Sequence, residues 1–133
     1  MEILITNDDG INSPAISRLA NELKAYGNIT VVAPDRDSSG KAASITLRDV
    51  LRFNEVDMGS NIKFYSVEGT PADSVIMARN EISQKPFDLI FSGINYGANM
   101  GADVFVSGTV GAAIHGYLGG TLSIALSIAS LDA

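Results

Sequence analysis

Asp8 and Asp9 are the residues whose types and spacing speak first of chemistry. They lie in Ile3-Leu4-Ile5-Thr6-Asn7-Asp8-Asp9-Gly10, where an apolar run gives way to an amide, two adjacent carboxylates and a glycine. Neighbouring carboxylates repel each other and are costly to desolvate. A small hard cation such as Mg²⁺ or Mn²⁺ removes that cost and prefers oxygen ligands. The same residues are ordinary turn formers, so this stretch alone fits a site or a polar turn equally. Further donors follow in Ser38-Ser39-Gly40, in Asn95 within Ser92-Gly93-Ile94-Asn95-Tyr96-Gly97-Ala98-Asn99, and in Ser107-Gly108-Thr109. Hydroxyls and backbone N–H groups at a helix start form a ready anion pocket, and they serve equally as a cap. Asp8, Asp9, Ser39 and Asn95 make a plausible open oxygen shell for one divalent cation, with Ser107-Gly108-Thr109 as an anion pocket beside it. A cation next to an anion pocket is equipment for phosphoryl hydrolysis.

The elements that must carry these residues follow from the hydrophobic pattern. Ile3–Thr6 reads as a buried strand of parallel type. Pro14 at the first helical position, with Ile16, Leu19, Ala20 and Leu23 at helical spacing, predicts a helix over 14–26 with Ser13 as its cap. Ile29–Ala33 is a second strand, which completes a βαβ unit. Residues 44–67 read as short antiparallel strands, an excursion from the α/β pattern. Thr70-Pro71-Ala72-Asp73 is a box-like helix start. Phe87–Phe91 is a third main strand with a glycine-rich exit, a small-residue helix runs from Val110 to Gly116, and Leu122–Ile128 is a last parallel strand. The expected architecture is α/β, a Rossmann-like three-layer sandwich with a mostly parallel sheet, over residues 1–133 as one domain. Ligands of such sheets bind beyond the carboxyl ends of the strands, where all four loops emerge.

Bulk composition narrows the function classes. Hydrophobic residues make up 46% of 133 and the net charge is −6 with no basic run. That composition is globular and argues against attraction to DNA or RNA phosphates. There is no cysteine, so disulfides and thiolate metal sites are excluded. No apolar span is long enough for a bilayer, and the expected location is cytoplasmic. His115 is the only histidine, and inside a helix it reads as packed or solvated rather than catalytic.

Five segments in order then make a specific pattern: Ile3 to Ile11, Val31-Val32-Ala33-Pro34-Asp35-Arg36 with Ser39-Gly40, Gly69 to Ser74, Ser92 to Gly101, and Ser107 to Ala113. Together they resemble the SurE family, the stationary-phase survival protein nucleotidases. The resemblance implies a divalent-metal-dependent phosphatase of nucleoside 5′- and 3′-monophosphates, with short polyphosphate as a further substrate of some members. It matches Asp8, Asp9, Ser39 and Asn95 to the metal ligands, one Mg²⁺ or Mn²⁺ per subunit. It matches Asn99, Ser107, Gly108 and Thr109, with Gly40 nearby, to the phosphate site. Asp8, Asp9 and Asn95 would carry the catalysis; whether water or Asp8 itself attacks phosphorus stays open. The family is a homo-oligomer, dimer or tetramer, with a longer C-terminal part than this chain has. Val106 replaces a usual aromatic residue, and Ile114-His115-Gly116 departs from a usual acidic one. Two rivals remain: a phospho-accepting receiver-type domain, which lacks its acceptor Asp and late Lys here, and an inactive nucleotide-binding remnant.

Overall fold

The computed structural model describes residues 1–37, 42, 44–46, 51–97, 99–101 and 103–129. Six strands form one sheet: β1 (Glu2–Thr6), β2 (Asn28–Pro34), β3 (Phe53–Val56), β4 (Lys63–Val67), β5 (Leu89–Tyr96) and β6 (Leu122–Ile128). Their spatial order is β3-β4-β2-β1-β5-β6. Only β3 runs antiparallel, against β4. Helix α1 (Pro14–Leu23) covers one face; α2 (Pro71–Met77), extended by a π-helical stretch Ala78–Ile82, and α4 (Gly108–Leu118) cover the other, with a short α3 (Asp103–Val106) before α4.

Alternation along the strands divides the core accordingly. Ile3, Ile5 and Val31 pack with Ile16, Leu19 and Ala20 of α1. Leu4, Val32 and Ile90 pack with Val75, Met77 and Ala78 of the α2 segment and Ala112 of α4. Each such fully buried aliphatic side chain contributes about 1.5–3 kcal/mol, so β1, buried on both faces, is held firmly at the sheet centre. The chain turns to one side of β1 for β2 and to the other for β5, and the crevice expected at such a switch lies at the exit of β1.

The expected layers and mostly parallel sheet are present, with four local differences. Strand β4 pairs in parallel with β2, from Thr30↔Lys63 to Pro34↔Val67, so the expected excursion contributes a member of the main sheet and only β3 turns back. Residues 44–46 are not strand, because the Thr46 N–H and hydroxyl bond the carboxylate of Asp73 instead of a neighbouring strand; Leu47–Val50 lie outside the described residues. Helix α1 ends at Leu23, where the Tyr26 N–H reaches back to the Leu23 carbonyl at 2.9 Å in a tight turn. Strand β5 runs on to Tyr96, past the expected exit at Phe91, because Ser92 to Tyr96 keep pairing with β6 across an irregularity between Ser92 and Asn95. Gly93 sits there at φ 139°, with the Leu126 carbonyl where a Cβ would lie, which excludes a side chain.

Candidate functional site

The exit of β1 is a closed four-residue turn. Asn7, fully buried, donates Nδ2 to the Gly10 carbonyl (2.9 Å) and accepts the Gly10 N–H on Oδ1 (3.1 Å). Gly10 takes φ 105° with the Arg36 backbone 3.1 Å from where a Cβ would lie, and the Ile11 N–H donates to the Pro34 carbonyl at 2.8 Å. The turn carrying Asp8 and Asp9 is therefore seated on the exit of β2.

Asp8 is only 3% exposed. Burial, and then the charge of Asp9, push its carboxyl up from the usual 3.8 to about 6; Asp37 adds to the rise. The Thr109 hydroxyl and a backbone N–H of the turn act the other way. Thr109 Oγ1 nevertheless closes no hydrogen bond of normal geometry, so we read it as a near neighbour of Asp8 rather than a bonded one. Asp9 is raised by burial, opposed by the Tyr96 backbone N–H and reinforced by Asp37. Two carboxylates, the exit of β5 and the start of α4 thus meet at one end of the sheet.

The buried polar atoms that lack partners gather largely in the same place. Asp8 Oδ1, Asp9 Oδ2, Thr109 Oγ1, Thr6 Oγ1 and Ser92 Oγ are all buried without a hydrogen bond. Thr6 and Ser92 are register partners on β1 and β5. They lie two residues beyond Leu4 and Ile90 on their strands and so point to the same face as α4. An unsatisfied buried polar group costs about 1–3 kcal/mol, and several in one place mark where a ligand completes the structure. The set is oxygen only, which fits a hard cation. Among the described residues no group of three His, Cys, Asp or Glu is assembled as a metal set; a cation here relies on the two carboxylates plus hydroxyl and amide oxygens.

Of the other expected site residues, Asn95 lies in the bulged end of β5, where its Nδ2 donates to the Gly97 carbonyl at 3.0 Å. Asn99 donates to Ser127 Oγ of β6 at 2.6 Å. Ser107 caps α4 by accepting the Val110 N–H at 3.2 Å, and Gly108 and Thr109 form its buried first turn. Ser39 and Gly40 lie outside the described residues. Ser13 holds the cap position of α1 but its hydroxyl makes no capping bond and stays unpaired. Val106 is 55% exposed, and His115 sits two turns down α4 from Ser107. The sequence reading missed Thr6 and Ser92; hydroxyl residues closing otherwise apolar strands were the available signal. It also passed over Asp37, whose charge reaches both aspartates.

Comparison with known proteins is consistent with this geometry. The family described as "Survival protein SurE" matches residues 3–133. A 5′-nucleotidase SurE from Dehalococcoides mccartyi (strain CBDB1) is 48% identical over 129 residues, covering 96% of this chain and 49% of that protein. A 5′-nucleotidase SurE from Legionella pneumophila (strain Lens) is 48% identical over 128 residues, again 96% and 49%. The crystal structure of the SurE protein from Aquifex aeolicus superposes with a TM-score of 0.85 at 43% identity, over 96% of this chain and 50% of that one. The chain spans about half the length of the curated relatives it matches. These matches set aside the receiver-type reading, and the chain belongs to the SurE family.

Proposed function

We propose that this chain carries the catalytic end of a divalent-cation-dependent phosphatase that hydrolyses nucleoside 5′-monophosphates to nucleoside and phosphate. The observation that carries the reading is Asp8: a buried carboxylate beside a second one, with an oxygen unpaired, at the end of a central strand and next to the N-terminus of α4. Asp8, Asp9, Ser39 and Asn95 would hold one Mg²⁺ or Mn²⁺. When bound, the cation supplies charge neutralisation and polarises a phosphoryl oxygen. Ser107, Gly108 and Thr109 would offer hydroxyls and helix N–H groups to the phosphoryl oxygens, with Asn99 and Gly40 as further expected phosphate ligands, and steady the charge that develops there. All these groups address the phosphate and none reads its position on the sugar, so 3′-monophosphates and short polyphosphate belong to the same reading. A homo-oligomeric cytoplasmic enzyme, dimer or tetramer, completes it. The exposed Tyr117, Leu118 and Leu122 on α4 and β6 support assembly.

The test is phosphate release from AMP by the 133-residue chain, with and without Mg²⁺ or Mn²⁺. Release that requires the cation and disappears in Asp8→Asn is expected. Cation binding without release would identify an inactive nucleotide-binding remnant, and wild-type turnover by Asp8→Asn would end the assignment.

A further inference from the structure

A second buried aspartate lies near the site, and its bonds reach beyond its own helix. Asp73 is 1% exposed. Its Oδ2 accepts the Thr70 N–H at 2.8 Å, and Thr70 Oγ1 accepts the Asp73 N–H at 3.1 Å, which is the capping box of α2. The box needs no more than that pair. Asp73 also accepts the Thr46 N–H on Oδ1 (2.8 Å) and the Thr46 hydroxyl on Oδ2 (2.7 Å). Thr70 Oγ1 in turn donates to the Ser44 carbonyl at 2.6 Å. Further back, the Ala42 N–H donates to the carbonyl of Val106, next to Ser107. Residues 42, 44 and 46 thus bond to the starts of α2 and α4.

Thr46 and Thr70, with Glu68, Gly69 and Asp35 to Asp37, line a cleft of about 360 Å³. It adjoins the acidic turn, because Gly10 packs on the backbone of Arg36. Its volume is in the range of small-molecule sites. Its charged lining is three carboxylates and one guanidinium, and Arg36 pairs with Asp35 at 3.3 Å. Such a lining repels phosphate but accepts hydrogen bonds from sugar hydroxyls and base N–H groups. The guanidinium also offers a plane on which a base can stack.

We propose that this cleft takes the nucleoside half of the substrate and that Asp73 is a positioning residue, fixing the cleft wall through its two bonds to Thr46. The proposal rests on the nucleotidase reading above. Thr46→Val removes the hydroxyl bond while keeping the branched shape, the backbone N–H and the helix cap. The experiment compares kcat/KM for AMP with kcat/KM for p-nitrophenyl phosphate, which has no nucleoside, alongside a calorimetric titration with adenosine alone. In Thr46→Val the AMP-to-aryl ratio falls roughly three- to tenfold through KM, because a cleft wall no longer held in place costs part of the nucleoside's binding and none of the aryl ester's. Adenosine affinity falls by the same factor, Tm falls modestly with the lost hydrogen bond, and Thr46→Ser restores all three. An unchanged ratio overturns the proposal, as do equal losses on both esters or a wild-type chain that does not bind adenosine at millimolar concentration. A wild-type chain that binds adenosine but releases no phosphate overturns the nucleotidase reading and leaves the cleft standing.

Discussion

Asp8 and Asp73 are buried to nearly the same depth, 3% and 1% exposed, yet their surroundings are opposite. Asp73 accepts three hydrogen bonds from two backbone N–H groups and a hydroxyl. Asp8 keeps one oxygen with no partner, sits beside another carboxylate, and has unpaired hydroxyls for company. Depth alone therefore does not separate a structural carboxylate from a functional one. What separates them is whether the protein itself meets the oxygens' hydrogen-bonding capacity. Around Asp73 the fold is complete; around Asp8 it is stable despite an unmet demand, the trade of local stability for a site.

The sharpest way to break this contrast is to exchange charge for amide at Asp8. Asp8→Asn is expected to lower cation-dependent AMP hydrolysis at least roughly a thousandfold, since it strips charge from the proposed cation shell. The same change is expected to stabilise the cation-free protein at neutral pH, read as a higher urea midpoint. Next in size, Asp73→Ala removes a satisfied carboxylate and strands its donors, so it should destabilise by about 3 kcal/mol in urea unfolding. If Asp73→Ala were the stabilising change and Asp8→Asn the damaging one, the roles of the two aspartates would be reversed.

A third expectation follows from the raised carboxyls. Between the usual 3.8 and the folded value of about 6 for Asp8, the native state holds more protons than the unfolded chain. Stability of chelator-treated protein therefore falls as pH rises through that window. For Asp8 the loss is at most about 3 kcal/mol, taking 1.36 kcal/mol per unit, and Asp9 acts in the same direction. Thermal melts at pH 4 to 7 should show this decline in the wild type, a weaker one in Asp8→Asn, and its reversal by Mn²⁺ at pH 7. The smallest effect is assigned to Thr109→Val. Its hydroxyl bonds nothing within the protein, so stability should stay within about 0.5 kcal/mol while AMP turnover drops roughly tenfold.

Much of the fold was legible because local signals agreed with the global one. The apolar runs at β1, β2 and β6 and the Thr70-Pro71-Ala72-Asp73 cap each specify one element without help from distant residues. The rest depended on long-range pairing. Gly93 after Phe91 read as part of a loop, but β6 extends β5 past it and sets Asn95 in a strand. Thr46 read as strand, but a carboxylate 27 residues later claims its donors. At the site, Asp8 and Asp9 were legible because paired acids after a buried strand have few structural uses. Thr6 and Ser92 were not, since only the register of β1 on β5 brings their hydroxyls together.

The Asn7–Gly10 ring bears on how quickly an ion could be captured. Its reciprocal bonds at 2.9 and 3.1 Å close the turn before any ligand arrives. On the proposed assignment, the two acids already stand side by side, and capture requires no rearrangement of the backbone that presents them. The uptake rate would then be governed by how readily the arriving ion sheds its hydration water, a step that Mg²⁺ takes reluctantly.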